Sequence, residues 1–376
     1  MSKKKAIAAG HICLDITPAF KSKEEKDITE IFVPGQLIAM EQAKVSIGGS
    51  VSNTGLGMKL LGADVELMGM VGKDAFGQMI LSELERYGAD SKTMIVREDI
   101  GTSYTVILAP AGIDRIMFHC SGANDEFVLD HIDLDRVKQA NLFHFGYPSL
   151  MRNMYIDGGK ELCRLLKAVH ELGVAVSLDM AMFEESTEAG AQDWDAIVRT
   201  IMPYIDFFVP SVEELCIMLD RDRYHEWKER AAGRDVTSIL DIEKDVKPLA
   251  DRLLSYGAKV VLIKCGTPGL YFRTADKDTL KAIGGGIGAE IADTWAGKEA
   301  FEKSYLVEHV ASGTGAGDTT IAAFLAAILE GRDWQDALHL ATATGALCVQ
   351  TYDALGGIIP LSEVQKKIDA GWQKRP

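Results

Sequence analysis

The strongest constraint on this chain is a rhythm: short apolar segments rich in β-branched residues alternate with longer amphipathic ones. Strands are predicted at residues 6–12, 65–71, 142–145, 174–178, 207–209 and 260–263. Between them the spacing changes. Residues 155–172 carry Leu162, Leu165, Leu166 and Val169, the i, i+3, i+4, i+7 pattern of a helix with one face on a core. Residues 245–256 and 334–349 repeat that theme. The alternation predicts an α/β protein of three layers, α/β/α, with a mostly parallel central sheet and ligands gathered at the carboxyl ends of its strands.

Two stretches break the rhythm, 15–47 and 102–120. In the second, Tyr104, Val106 and Leu108, then Ile116 and Phe118, alternate with other residues around a turn at 111–114, which reads as a hairpin. Both stretches are predicted to form a small β-sheet lid over the main sheet, the alternative being edge strands of that sheet. Residues 220–248 contain RDRYHEWKER, where acids interleave with bases, so a charged helical insertion is predicted there rather than a basic patch. The whole of 1–376 is otherwise read as a single domain.

With 376 residues, 47% of them hydrophobic, the chain can bury a large core. Its formal charge of −15 opposes nucleic-acid and anionic-membrane binding. An anionic substrate stays compatible with that charge, because backbone dipoles and a bound cation act at short range where salt screens little. The six cysteines form no CxxC pair and read as reduced, buried thiols. The apolar N-terminal stretch soon meets Gly10, His11 and Asp15 and lacks a cleavage pattern. The apolar run at 321–329 is far shorter than the about 20 residues that span a bilayer. A cytoplasmic protein is predicted. His11, His119 and His144 have no ligand spacing and read as satisfied core residues, with no metal role.

The segment SGTGAGD at 312–318 is followed by TTIAAFLAAILEG, a good helix that ends at Gly331. A glycine turn therefore opens a helix, whose unpaired N–H groups and dipole suit an anion. Glycines let the backbone approach a phosphate closely, and Asp318 stands in the first turn beside it. A carboxylate there repels phosphate but is useful if it takes a proton from an attacking hydroxyl, which is the logic of phosphoryl transfer. Asp318 as a mere helix-capping carboxylate is the competing reading. No GxxxxGK[ST] loop is present, and Asp318 stands where GxGxxG needs its last glycine. The cluster GGGIG at 284–288 reads as a flexible loop.

The second informative segment, GGSVSN at 48–53, leads into TGLGMKLLG and then DVELMGMVGKDAFGQMILSEL. With both segments in view, the chain resembles the PfkB (ribokinase-like) family of carbohydrate kinases from about residue 6 to residue 360. The resemblance implies a ribokinase-like fold and a kinase that uses ATP and Mg²⁺ to phosphorylate a small sugar. It implies Asp318 as catalytic base, with Gly315, Ala316 and Gly317 as the anion hole. Asp15, at the end of the first strand, together with Gly49 and Asn53, is implied on the sugar side. Thr267 and Gly269, in KCGTPG, and Thr314 are implied on the nucleotide side. From the residues alone, Asp15 can equally form a turn, Asn53 can cap a helix, and 264–269 can be a plain strand–turn–strand. In some relatives the lid also mediates a homodimer.

Three positions depart from the family. Ser312 stands where an acidic residue usually helps to hold a monovalent cation, so no such site is implied here. The family's Asn-x-x-Glu appears as SVEE at 211–214, which keeps Glu214 for a water-mediated magnesium contact. DMA at 179–181 lacks an Asn often found after that strand. Magnesium is still expected, because ATP phosphates need neutralisation. Two alternatives stay open: a nucleoside kinase with Tyr104, Phe118 or Tyr147 stacked on a base, and a catalytically silent sugar-sensing protein. A phosphorylated sugar is the weaker acceptor, because it needs a dedicated basic pocket and only Arg97 and Arg115 are read near the proposed substrate residues.

Overall fold

A computed structural model describes residues 3–22, 24–25, 27–113 and 116–376. Among the described residues thirteen strands are formed: β1 Lys5–Gly10, β2 Cys13–Thr17, β3 Lys44–Gly48, β4 Asp64–Gly72, β5 Met94–Arg97, β6 Tyr104–Leu108, β7 Ile116–Cys120, β8 Leu142–Gly146, β9 Ala175–Asp179, β10 Phe207–Phe208, β11 Val260–Lys264, β12 Gly269–Thr274 and β13 Glu299–Lys303. Nine build one sheet in the order β13-β12-β11-β10-β9-β8-β1-β4-β5. From β11 through to β5 every pairing is parallel, and β12 and β13 add antiparallel at one end. The six predicted main-sheet strands all form, with ends shifted by a residue or two.

The sheet lies between two cores because alternate side chains of each strand face opposite ways. Ile7, Ala9, Phe143, Phe145 and Val176 join the Leu162, Leu165, Leu166 and Val169 face of helix Arg152–Glu171. Ala6, Ala8, Leu142 and Phe207 join helix Ala316–Leu329, which is apolar from Ile321 onward. That is the predicted three-layer α/β/α arrangement. Helix Arg152–Glu171 is broken near its start, where Asp157, Gly158 and Gly159 take left-handed φ values of 52°, 68° and 71°. Among the described residues no helix is long and apolar enough to cross a membrane.

The four remaining strands form a second sheet, β3-β2-β6-β7, drawn from the two stretches that interrupt the rhythm. They are therefore not edge strands of the main sheet. β2 pairs with β3 antiparallel and with β6 parallel, and β6 pairs with β7 antiparallel as the hairpin pattern predicts. Asp114 of that hairpin's turn and Arg115 lie outside the described residues. In the charged segment, helix Arg221–Ala231 buries Trp227, and the carboxylate of Asp245 accepts from Trp227 Nε1, Arg223 and Arg230.

Three expectations need correction. The 284–288 cluster is a packed turn rather than a flexible loop: Gly285 N–H donates to Gly173 O at 2.7 Å, and a Cβ on Gly285 would lie 1.8 Å from Asn141 O. Of the six free cysteines, Cys120, the last residue of β7, is exposed and Cys163, within helix Arg152–Glu171, is half-buried. His11 is not a satisfied core residue, because its buried Nδ1 has no hydrogen-bond partner. His144 is satisfied, between Ser50 Oγ and Ser177 Oγ at 3.1 and 3.0 Å.

Candidate active site

Gly315 takes φ +75°, a left-handed turn that suits glycine, and starts helix Ala316–Leu329. A Cβ on Gly315 would lie 2.1 Å from Ala354 Cβ, so the loop that follows the next helix is packed onto the turn. Gly317 is more open: a Cβ there would lie 3.5 Å from Lys264 Cδ and 3.8 Å from its Nζ. Ser312 Oγ accepts from Thr314 N–H and donates to Thr314 Oγ1, both at 3.1 Å, which fixes the approach to the helix.

Asp318 is buried in the first turn of that helix, and it is not a cap. Its carboxylate accepts from other segments instead: Asn53 Nδ2 donates to Oδ2 at 3.2 Å, while Thr54 Oγ1 at 3.3 Å and Tyr147 OH at 2.5 Å donate to Oδ1. Asn53 and Thr54 lie on a buried π-helical turn, Val51–Leu56, whose N-cap is Ser50. This excludes the capping reading of Asn53. Gly49, at φ +86°, starts that turn, where a side chain would meet His11 at 2.6 Å. The two glycine motifs, 265 residues apart at Asn53 and Asp318, thus meet at one carboxylate.

The parallel strands bring further groups to the same end. The residue after β8 is Tyr147, the last of β9 is Asp179 and the last of β11 is Lys264. Beyond β10, Ser211 and Glu214 form a reciprocal cap: Glu214 Oε2 accepts from Ser211 N–H at 2.7 Å and Ser211 Oγ from Glu214 N–H at 3.2 Å. Lys264 Nζ donates to Asp179 Oδ1 at 2.6 Å, and both residues are buried. Burial, with Glu214 and Asp318 nearby, pushes the Asp179 carboxyl up against the opposing pull of Lys264. Burial lowers the Lys264 ammonium, but Asp179, Glu214 and Asp318 outweigh it and the net shift is upward. The Tyr147 hydroxyl is pushed well up by burial and then by Asp318 and Asp179.

A cavity of about 900 Å³ opens beside Asn53, between the second sheet, the 311–314 segment and the 352–355 loop. Asp15, Lys44, Asn53, Arg86, Thr314 and Asp353 line it, and the size suits a small ligand. Asp15 stands on β2 opposite Ser46, not in a turn, and Cys13 Sγ donates to it at 3.4 Å. Burial pushes its carboxyl up to about 6. Thr267 and Gly269 do not reach this cavity; they form the turn between β11 and β12, where a Cβ on Gly269 would lie 2.1 Å from Glu302 O. Lys264, at the foot of that turn, connects it with Gly317. Arg97 is held by Asp99, at 2.6 and 2.8 Å. Among the described residues no three His, Cys, Asp or Glu side chains converge as a metal cage. A cation there would rest mainly on phosphate oxygens and water.

Sequence reasoning found Asp318, Asn53 and the glycine turn, but gave no role to Thr54 and Lys264 and took Tyr147 only as a base-stacking candidate. The signal that finds Tyr147 and Lys264 is position at the carboxyl ends of adjacent parallel strands.

A model of the pfkB family of carbohydrate kinases matches residues 12–359. A 5-dehydro-2-deoxygluconokinase of Clostridium perfringens is 26% identical over 341 residues, 90% of this chain and 88% of the relative. An uncharacterized sugar kinase of Archaeoglobus fulgidus is 23% identical over 304 residues, 81% of this chain and 98% of the relative. The ribokinase of Arabidopsis thaliana, solved with ribose and ATP, superimposes with a TM-score of 0.70 at 20% identity over 97% of this chain and 98% of its own. A ribokinase II of E. coli, solved with ATP and Mg²⁺, gives 0.71 at 19% identity over 98% and 99%.

Proposed function

The chain belongs to the pfkB family of carbohydrate kinases and is a phosphotransferase with a hydroxyl acceptor, and we propose that it moves the γ-phosphoryl group of ATP onto a hydroxyl of a small sugar or sugar acid. The observation that carries this reading is the meeting of Asn53, Thr54 and Tyr147 on the Asp318 carboxylate behind a glycine turn. Asp318 takes the proton of the acceptor hydroxyl as the new O–P bond forms, and the bond from the γ-phosphorus to the bridging oxygen breaks with its electron pair leaving on ADP. Gly315, Ala316 and Gly317 hold negative charge through their N–H groups at the helix start. Asp15, Gly49 and Asn53 bind the acceptor, and Thr267, Gly269 and Thr314 serve the nucleotide. Magnesium, when bound, neutralises phosphate charge, with Glu214 holding one of its waters.

The second sheet acts as a lid that excludes water, a competing nucleophile. A carboxylate acceptor is favoured by Lys44 and Arg86 in the cavity and by the activity of the Clostridium perfringens relative. The test is coupled ADP release with ATP·Mg against hexoses, pentoses, sugar acids, sugar phosphates and nucleosides. Release that depends on a free sugar or sugar acid supports the proposal. Release only with nucleosides, or none while ATP still binds, contradicts it.

A further inference from the structure

Among the described residues two lysines are buried, Lys259, paired with Asp206 away from the carboxyl ends of the strands, and Lys264, which stands at them and has no task in the family reading. Lys264 ends β11, third from one edge of the nine-stranded sheet, where its backbone N–H donates to Pro210 O at 2.9 Å. Its side chain is 11% exposed and reaches Asp179 Oδ1 at 2.6 Å. An ammonium has three donors. Among the described residues Asp179 is its one hydrogen-bond partner, which leaves two donors for a ligand. The same side chain runs along the anion-hole turn, since a Cβ on Gly317 would lie 3.5, 3.6 and 3.8 Å from Cδ, Cε and Nζ.

The charges around it define the need. Asp179, Glu214 and Asp318 all act on Lys264. Among the described residues no other ammonium or guanidinium is hydrogen-bonded to any of these three carboxylates. A phosphoryl group arriving at the 315–317 turn brings more negative charge into a buried site, where Coulomb interactions are strong. A buried ion pair is also a poor device for stability alone, because desolvation offsets most of its attraction. A lysine left with spare donors at a phosphate cradle is better explained as a ligand for phosphate.

Resting on the phosphotransfer reading above, we propose that Lys264 is a further catalytic residue: its ammonium, held by Asp179 against Gly317, binds the phosphoryl group in transit and neutralises its non-bridging oxygens. Asp179 is then a positioning residue that fixes where the ammonium points. Lys264 forms no covalent bond and transfers no proton in this role.

The test uses Lys264→Met, Lys264→Arg and the neutral double variant Lys264→Met/Asp179→Asn, with thermal melting as a check on folding. Calorimetry compares ATP with ADP binding, and steady-state assays give kcat and KM. Losing one buried electrostatic donor costs on the order of 10²–10³ in kcat. Lys264→Met is expected to show that fall with ADP affinity changed less than about threefold, and its preference for ATP over ADP should shrink toward unity. Lys264→Arg should retain more activity than Lys264→Met. The double variant removes both charges and so guards against misfolding of the single one; it should stay slow and stay indifferent between ATP and ADP. Recovery of turnover or of ATP preference in the double variant would show that Lys264 only neutralises Asp179, and would overturn the proposal. A folded Lys264→Met with kcat within threefold of wild type and an unchanged ATP preference would also overturn it. If the wild type turns over no acceptor, the phosphotransfer reading fails, while the ATP and ADP affinities still decide whether Lys264 meets the terminal phosphate.

Discussion

Strands β8, β9 and β11 of the large sheet are buried along their whole length, whereas β7 of the small sheet leaves Met117 64% and Phe118 57% exposed. Both sheets reach the same site, and they contribute different things to it. The large sheet carries Tyr147, Asp179 and Lys264 on strand ends fixed by neighbours on both sides. The small sheet contributes Asp15, held by the Cys13 thiol at 3.4 Å and by the Thr105 hydroxyl. On the proposed function, the groups that would meet developing charge to a fraction of an ångström stand on the rigid layer. Those that would admit and release an acceptor stand on the layer with less buried surface, which would open at lower cost.

That contrast can be broken by substitution. The largest effect is expected at the rigid side, from Gly315→Val. A β-branched residue at φ +75° is strained by about 1–2 kcal/mol, and its Cβ would overlap Ala354. Turnover should fall on the order of 10²-fold or more, with a lower melting temperature. Wild-type kinetics in this variant would mean that the turn does not cradle phosphate. Next is Tyr147→Phe, which removes a donor from the buried Asp318 carboxylate. Unfolding free energy should drop by about 1–3 kcal/mol, and kcat should fall about tenfold. A denaturation midpoint equal to wild type would show that the Tyr147–Asp318 bond is absent in solution.

On the small sheet the effect should appear in acceptor affinity and in pH. Asp15 is raised from an ordinary 3.8 to about 6 by burial, so the folded chain binds its proton more tightly than the unfolded chain. Its contribution to stability is therefore lost as pH rises from about 4 through about 6, by at most about 3 kcal/mol. Asp15→Asn removes this: the variant should be more stable than wild type at pH 8, and the gap should close near pH 4. Its acceptor KM should rise while ATP binding is unchanged. Wild-type kcat/KM should fall as pH drops below about 6, and Asp15→Asn should lack that fall. Equal loss of both ligands would assign Asp15 a structural role. The smallest effect belongs to the exposed face, where Met117→Ser with Phe118→Ser should shift stability by less than about 0.5 kcal/mol. A large loss in a melting curve would mean that those side chains are covered.

Much of the fold was legible because the inner strands of the parallel sheet are short runs buried on both faces, as in β11, VVLIK. The second sheet was legible from the alternation at 104–108 and 116–118, although the parallel pairing of β2 with β6 was not, since it joins segments about 90 residues apart. Asp318 was legible through its glycine turn. The partners of that carboxylate were less so. Tyr147 sits 171 residues away in sequence, at φ 66°, a left-handed conformation that no local pattern announces for a tyrosine. Lys264 and Asp179 are 85 residues apart and meet only because β9, β10 and β11 lie side by side. Chemistry assembled from strand ends depends on strand order, which a single sequence encodes only weakly. The nucleotide-side positions remain different in kind: Gly269 is explained by its close approach to Glu302, and Thr267 by its turn, before any ligand is considered.

The account turns on Asp318 as the base at the point where both motifs meet. The most direct measurement is acceptor-dependent ADP release by wild type and Asp318→Asn, with ATP affinity of both measured by calorimetry. The account predicts a fall in kcat on the order of 10² or more with ATP affinity nearly unchanged. Turnover by Asp318→Asn equal to wild type would contradict it.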